Sequence, residues 1–274
     1  ERTCIFGAAI LQSLLFHGKI NAVLFAIWCP KKMDAVGTEQ WKRHVRSKNA
    51  MTEREKMIAG MIFDVSGSDM PRERKRSHQL CNEYNRTNED EEEKRLEILD
   101  QLLGAHGAHY WMEPDIRLDF GANITLGENF YSNYNLTILD NAPVTIGNDV
   151  LIGPCVTIAT AIHPLVAEER RIHFKEDGTI YNLEYAKPVT IGNDVWIAAG
   201  VTIAGGVTIG DGAVIGCGSV VVRDIPAGYL AVGNPCRPIR KITDKDRMIF
   251  DRPLDGVSAC TEVNDKVADN GINK

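Results

Sequence analysis

Aromatic residues make up only 7% of the chain's 274 residues. A core of stacked rings is therefore excluded, and the apolar fraction of 44% must be carried mostly by aliphatic side chains. Basic charge is also short: 31 Lys and Arg face 37 Asp and Glu, for a net charge of -6. That is the wrong sign for a field that gathers nucleic acid. No C-x-x-C pair occurs among the seven cysteines, and their number is odd. A zinc ribbon or disulfide framework would look different, and reduced thiols in a cytoplasmic protein fit better. Long apolar runs are missing too. Residues 5–28 are apolar but broken by His17, Gly18, Lys19 and Asn21, so no clean stretch can span a bilayer. The basic start and small-residue cleavage site of a secretory signal are poor here. Residues 1–50 stay an unassigned N-terminal extension: a targeting peptide or sequence ahead of a start at Met51 both fit.

What is present is a repeat. In IGNDVWIAAGVTIAGGVTIGDGAVIGCGSVVVRDIP, residues 191–226, Ile returns at 191, 197, 203, 209 and 215, and Val follows at 221. A helix face returns at 3.6 residues and a strand face at 2. Six fits a short strand plus a turn, repeated. Gly or Ala follows the aliphatic residue, and a small or β-branched residue stands four positions after it. Three such hexads make one coil with three flat sides, and aliphatic residues stack inward from coil to coil. Earlier traces run from about Trp111: Phe120 and Leu126, then Ile146, Ile152 and Ile158. The register is irregular around YSNYNLTILDN and is broken by a long insertion, 159–188.

Ahead of the coil the pattern is helical. TERE, from Thr52, reads as a capping box. Pro71 suits the first turn of a second helix, PRERKRSHQLCNEYN. A third, within NEDEEEKRLEILDQLLG, has acids in its first turn, where the helix dipole favours them. Leu96, Leu99, Leu102 and Leu103 are expected to form its apolar stripe and Gly104 to end it. Residues 51–110 thus form a small α-helical cap, 111–245 the coil, and 246–274 a polar, repeat-free tail.

The repeat, the cap opening MTEREKMIAGMIFD, and the ordered blocks NFYSNYNLTILDNAPVTIGNDVLIGPCVTI, HP, EYAKPVTIGNDVWI and GNPCRPIRKI resemble the hexapeptide acyltransferases. Within them the match is to sugar O-acetyltransferases of the maltose and galactoside acetyltransferase group, over about 52–245. The resemblance implies a mainly β fold: a left-handed parallel β-helix with a small N-terminal helical cap. It implies acetyl transfer from acetyl-CoA to a hydroxyl of a sugar or glycoside. It also implies a homotrimer with active sites between subunits, the insertion reaching a neighbour.

Such chemistry needs a base for the hydroxyl, donors for the oxyanion and a groove for the coenzyme. Histidine is the side chain that most readily serves as a base near neutrality. Of seven histidines, His163, where the chain leaves the coil before Pro164, matches the family's general base. Asn133 matches the asparagine expected to bond the acceptor or acetyl group. Tyr131, Asp119 and Asp140 match positions at the sugar site. Asn141 stands where galactoside enzymes carry a second acid. Asp64 lies one place from a sugar-contacting acid of the cap, whose matching position is Val65. Trp196 matches the tryptophan beside the pantetheine groove, and Ala199 the amide facing the thioester oxygen. Arg237 and Arg240 match phosphate-side arginines, with Arg223 a looser candidate. No metal is expected. Three other readings stay open. A γ-type carbonic anhydrase shares the coil but needs three histidines on one metal. A catalytically silent scaffold would not bind coenzyme A. An acetyltransferase could act on an antibiotic, a serine or an amino sugar.

Overall fold

The structure is a computed structural model and describes residues 51–67 and 69–247. The extension 1–50, with His17 and His44, and the tail beyond Arg247 lie outside the described residues.

Three cap helices form where the sequence patterns indicate: α1 (Glu53–Ile58), α2 (Met70–Tyr84) and α3 (Glu92–Leu102). Pro71 sits in the first turn of α2, and Glu92 and Glu93 in that of α3. The stripe of α3 differs from expectation. Arg95, Ile98, Leu99 and Leu102 are buried, while Leu96 is only half-buried. Arg95 tolerates burial because Thr87 accepts from its Nε at 2.8 Å and the Tyr84 and Trp111 rings lie 6.0 and 5.5 Å from its guanidinium carbon. Gly104 does not end α3 by a left-handed turn. Its missing Cβ allows close approach to the Ala122 carbonyl.

The chain then winds through three parallel sheets. Face 1 stacks Tyr110–Met112, Phe130–Ser132, Leu151–Ile152, Trp196–Ile197, Val214–Ile215 and Tyr229–Val232, with Arg237–Lys241 added antiparallel at the end. Face 2 stacks Ile116–Leu118, Leu136–Leu139, Thr157–Ala159, Thr202–Ala204 and Val220–Val221. Face 3 stacks Ile124–Leu126, Val144–Ile146, Val189–Ile191 and Thr208–Ile209. Inward isoleucines sit in register from coil to coil: Ile146, Ile191 and Ile209; Ile152, Ile197 and Ile215; Ile158, Ile203 and then Val221. All are buried, and burying each such side chain contributes roughly 1.5–3 kcal/mol. A parallel β-helix with a small helical cap is thus the fold, as the repeat indicated.

The corners explain the Gly that follows each aliphatic residue. At the corner from face 3 to face 1, the Asn148 N–H donates to Asn193 Oδ1 (2.9 Å) and the Asn193 N–H to Asp211 Oδ1 (2.7 Å). A Cβ on Gly192 would collide with that Asp211 carboxylate and stand 2.7 Å from the Asp211 amide nitrogen. Asn129, Asp149 and Asp194 hold the left-handed backbone of this corner.

The irregular register has two causes. Ser132 is fully buried at an inward position where an aliphatic residue is usual. Leu118 and Leu126, like Ile138 and Ile146, are inward residues eight positions apart, because the corner from face 2 to face 3 is longer in these coils. Phe120 is therefore no hexad partner of Leu126. It packs with Met57, Phe63, Met70, Ala142 and Ala186 against the cap.

The long insertion opens from this same corner in the next coil. Its outgoing strand Ala161–Ile162 and returning strand Leu183–Ala186 pair antiparallel, and the latter pairs on its other side with Phe63–Asp64 of the cap. Between them lie α4 (Ala167–Arg170) and a hairpin of His173–Phe174 with Ile180–Tyr181. No helix among the described residues is long and apolar enough to cross a membrane.

Candidate active site

The predicted residues fall into two groups, separated on one chain by the width of face 2. The first lies at the corner from face 2 to face 3. His163 follows the outgoing strand of the insertion and is half-exposed, with its Nε2 3.5 Å from Glu184 Oε1. Burial raises the Glu184 carboxyl above its ordinary range, His163 and Arg74 oppose the rise, and Asp119 adds to it. These four groups therefore share one electrostatic neighbourhood. Asp119, just past strand Ile116–Leu118, is largely buried and lies 3.4 Å from both Arg74 Nη2 and His78 Nε2 of α2. A cavity of about 210 Å³ opens here, lined by His78, Cys81, Asn82, Arg117 and Asp119.

Asp140 is in this corner but is not a surface acid. It is fully buried, and its oxygens accept from the Phe120 and Asn123 amides at 2.8 and 3.3 Å. Burial pushes its carboxyl up to about 6, against those hydrogen bonds. It shapes the loop that carries Asp119. Asn141 beside it is buried, with no partner for Oδ1 among the described residues. Asp64 is likewise occupied. It is paired with Lys175 Nζ at 3.0 Å and accepts from the Ser66 and Asn182 amides. Burial works against its charge, but these bonds hold its carboxyl below the usual range. Asp64 thus ties the insertion hairpin to the cap.

The second group lies on face 1 and at its corner with face 2. Tyr131 is half-buried on its strand. Burial, then the Glu113 carboxylate and Tyr134, push its phenol up. Asn133 follows, and its Oδ1 accepts the Tyr134 N–H at 2.8 Å. That fixes which end of the amide is which and leaves Nδ2 as a donor with no partner among the described residues. Trp196 is 52% exposed, two coils on, with Leu151 beside it in register at 51%. The Ala199 N–H donates to no acceptor among the described residues, whereas the equivalent amides at the corner from face 3 to face 1 are capped by Asn and Asp side chains. Gly153, one coil earlier, leaves it uncovered: a Cβ there would stand 2.7 Å from the Ala199 nitrogen.

The arginines at the end of the coil are not equivalent. Arg237 and Arg223 are exposed, and neither has an ion pair among the described residues. Arg240 differs from expectation because it is engaged: Asp246 lies 2.7 Å from its Nη2 and accepts from its Nη1 at 2.8 Å. Sequence reasoning missed Arg74, His78 and Glu184. Glu184 opens the EYAKP block, but only strand pairing shows what it faces. Among the described residues no three His, Cys, Asp or Glu stand together as a metal would need.

A hexapeptide coil carrying this cap, with an exposed histidine at its insertion, defines an acyltransferase scaffold. The comparisons agree. The maltose acetyltransferase hexapeptide capping motif matches residues 56–107, and the bacterial transferase hexapeptide model, six repeats, matches 188–223. The galactoside O-acetyltransferase of Escherichia coli K12 is 43% identical over 200 residues, 73% of this chain and 93% of that protein. A crystal structure of a maltose O-acetyltransferase from Clostridium difficile 630 is 46% identical, with a TM-score of 0.65 over 72% of this chain and all of that one. A galactoside acetyltransferase in complex with coenzyme A is 41% identical, with a TM-score of 0.67 over 74% of this chain and 97% of that one. The chain belongs to the hexapeptide-repeat sugar O-acetyltransferases, the maltose and galactoside acetyltransferase group. It is an acyltransferase that draws on acetyl-CoA.

Proposed function

We propose that the chain moves the acetyl group of acetyl-CoA onto a hydroxyl of a sugar or glycoside, with His163 as the general base. The observation that carries this reading is the half-exposed His163 in the same electrostatic neighbourhood as Asp119, whose cavity the cap helps to line. His163 takes the hydroxyl proton as the oxygen attacks the thioester carbonyl. The tetrahedral oxyanion is met by the Ala199 amide, with the free Asn133 Nδ2 as a second donor. Collapse breaks the C–S bond, and the proton passes from the imidazolium to the leaving thiolate. Trp196 lies along the pantetheine arm. Arg237 and Arg223 take phosphate charge, and Arg240 joins them if it exchanges Asp246 for phosphate. Tyr131 and Asp119 contact the acceptor. Asp140 and Asp64 act by shaping the loops around it.

The base and the coenzyme groups sit on opposite sides of face 2. Copies arranged about a three-fold axis would set one chain's group against its neighbour's, so we read the enzyme as a homotrimer. The exposed Leu165 and Phe174 of the insertion, 90% and 70% accessible, support contact with a neighbour. The free thiols of Cys81, Cys155, Cys217 and Cys236 support action in the reducing cytoplasm.

The test is thiol release from acetyl-CoA against sugars, thiogalactosides, amino sugars, serine and chloramphenicol-like alcohols, for wild type and His163→Ala. Turnover on a glycoside that falls at least about a hundredfold in the variant is expected. Turnover confined to a non-sugar alcohol would move the acceptor to that class. Failure to bind coenzyme A at all would favour a scaffold.

A further inference from the structure

We propose that Glu184 is the positioning residue for His163, directing one ring nitrogen inward so that the other faces the acceptor hydroxyl. This rests on the reading of His163 as the base. Strand register carries the argument. Ala161 pairs with Ala186 and Ile162 with Tyr185, so the next positions along the two strands are His163 and Glu184. Directly opposite residues of an antiparallel pair project to the same side, with Cβ atoms about 4.5–5.5 Å apart. The observed separation of 3.5 Å between Nε2 and Oε1 follows from that register.

The carboxylate is the better anchored partner. Its strand is the middle one of three, and Glu184 is paired on the far side with Phe63. Phe63 is buried in the cap cluster. The Glu184 side chain is 14% exposed against 49% for His163. A largely buried carboxylate on the central strand thus holds a half-exposed imidazole just past the end of an edge strand.

The other charges nearby are accounted for. Arg74 and His78, from α2, both lie against Asp119 at 3.4 Å. Arg74 and Asp119 also act on Glu184 electrostatically, but His163 is the partner that strand register sets opposite it. With one ring nitrogen turned to the carboxylate, the tautomer is set and the other nitrogen is free to accept. When the acceptor proton arrives there, the imidazolium is stabilised by the adjacent negative charge. The proton then leaves for the thiolate, and Glu184 gains none.

The experiment uses the full chain with Glu184→Gln, Glu184→Asp and His163→Ala, measuring kcat, KM for both substrates and the pH–rate profile. Glu184→Gln keeps the shape and removes the charge. Its kcat should fall between roughly tenfold and a hundredfold, with KM for acetyl-CoA within about twofold. The acid limb of its profile should move to lower pH by about half a unit to one unit, because the protonated ring loses its counter-charge. Glu184→Asp should keep the wild-type limb and recover part of kcat. If Glu184→Gln fails to fold, Glu184→Asp carries the test: an unmoved limb with reduced kcat supports the role, and an unchanged kcat sinks it. Wild-type kcat and profile in Glu184→Gln, beside an inactive His163→Ala, would overturn the positioning role and leave the base standing. A fully active His163→Ala would remove both.

Discussion

Replacing Trp196 by Ala tests whether face 1 binds the coenzyme. Trp196 points outward from strand Trp196–Ile197, while Ile197 points in and is fully buried. The residue is 52% exposed, so about half its surface is free to be covered by a ligand. A tryptophan can bury roughly 150–250 Å², so covering that half removes about 100 Å² from water. At about 25 cal/mol per Å² this is roughly 2.5 kcal/mol, or about a sixtyfold change in an equilibrium constant. Trp196→Ala should therefore raise KM for acetyl-CoA by between about tenfold and sixtyfold. KM for the acceptor should change little. Folding stability should drop by less than about 1 kcal/mol, since the inward face is untouched. Steady-state kinetics with each substrate varied in turn reads the first two, and urea unfolding the third. Sedimentation under the same conditions separates a cofactor contact from a subunit contact. An unchanged KM for acetyl-CoA with the assembly intact would refute the reasoning. A lost assembly with normal affinity would show that a neighbouring subunit covers Trp196.

Two predictions concern the scaffold. Ile203→Ala removes three buried carbons between Ile158 and Val221 and should cost about 4 kcal/mol, transfer and cavity terms together. The exposed neighbour Thr202→Ala should stay within about 0.5 kcal/mol, and similar urea midpoints for the two would reverse the inward assignment. Asp140 carries a pH dependence. An acid whose carboxyl is raised to about 6 on folding stabilises fully below its unfolded pKa of about 4 and loses that contribution as pH rises through about 6. The stability of wild type relative to Asp140→Asn should therefore fall by up to about 3 kcal/mol between pH 4 and 7. A flat difference would contradict the burial argument.

The coil was legible because each hexad states its own structure. Ile at the inward position, Gly where a Cβ would strike the next coil, and Asn or Asp at the left-handed corner are local demands, repeated until chance is excluded. The cap helices were legible for the same reason, through Pro71 and the acids of α3. Arg95 was not, since its burial depends on two rings from elsewhere in the chain: Tyr84 meets it when α2 packs on α3, and Trp111 only when the cap packs on the first coil. The break around Ser132 also misled, because one buried hydroxyl hides an inward position from a hydrophobic pattern.

For the site, residue type and motif resemblance marked His163, Asn133, Trp196 and Ala199, but not their surroundings. Asp140 and Asp64 have the composition of substrate ligands, yet both are occupied by backbone amides, and Asp64 also by Lys175. Arg240 reads as a phosphate ligand and is held by Asp246. Local sequence by itself determined the coil, the cap and the histidine that leaves the coil, because periodicity and turn chemistry act over a few residues. Only the tertiary structure decided that the lengthened corners stack on one edge, and that Glu184, 21 positions beyond His163, returns directly opposite it. Pairing between strands that an insertion separates is set by register and packing across the sheet, and no local pattern encodes it.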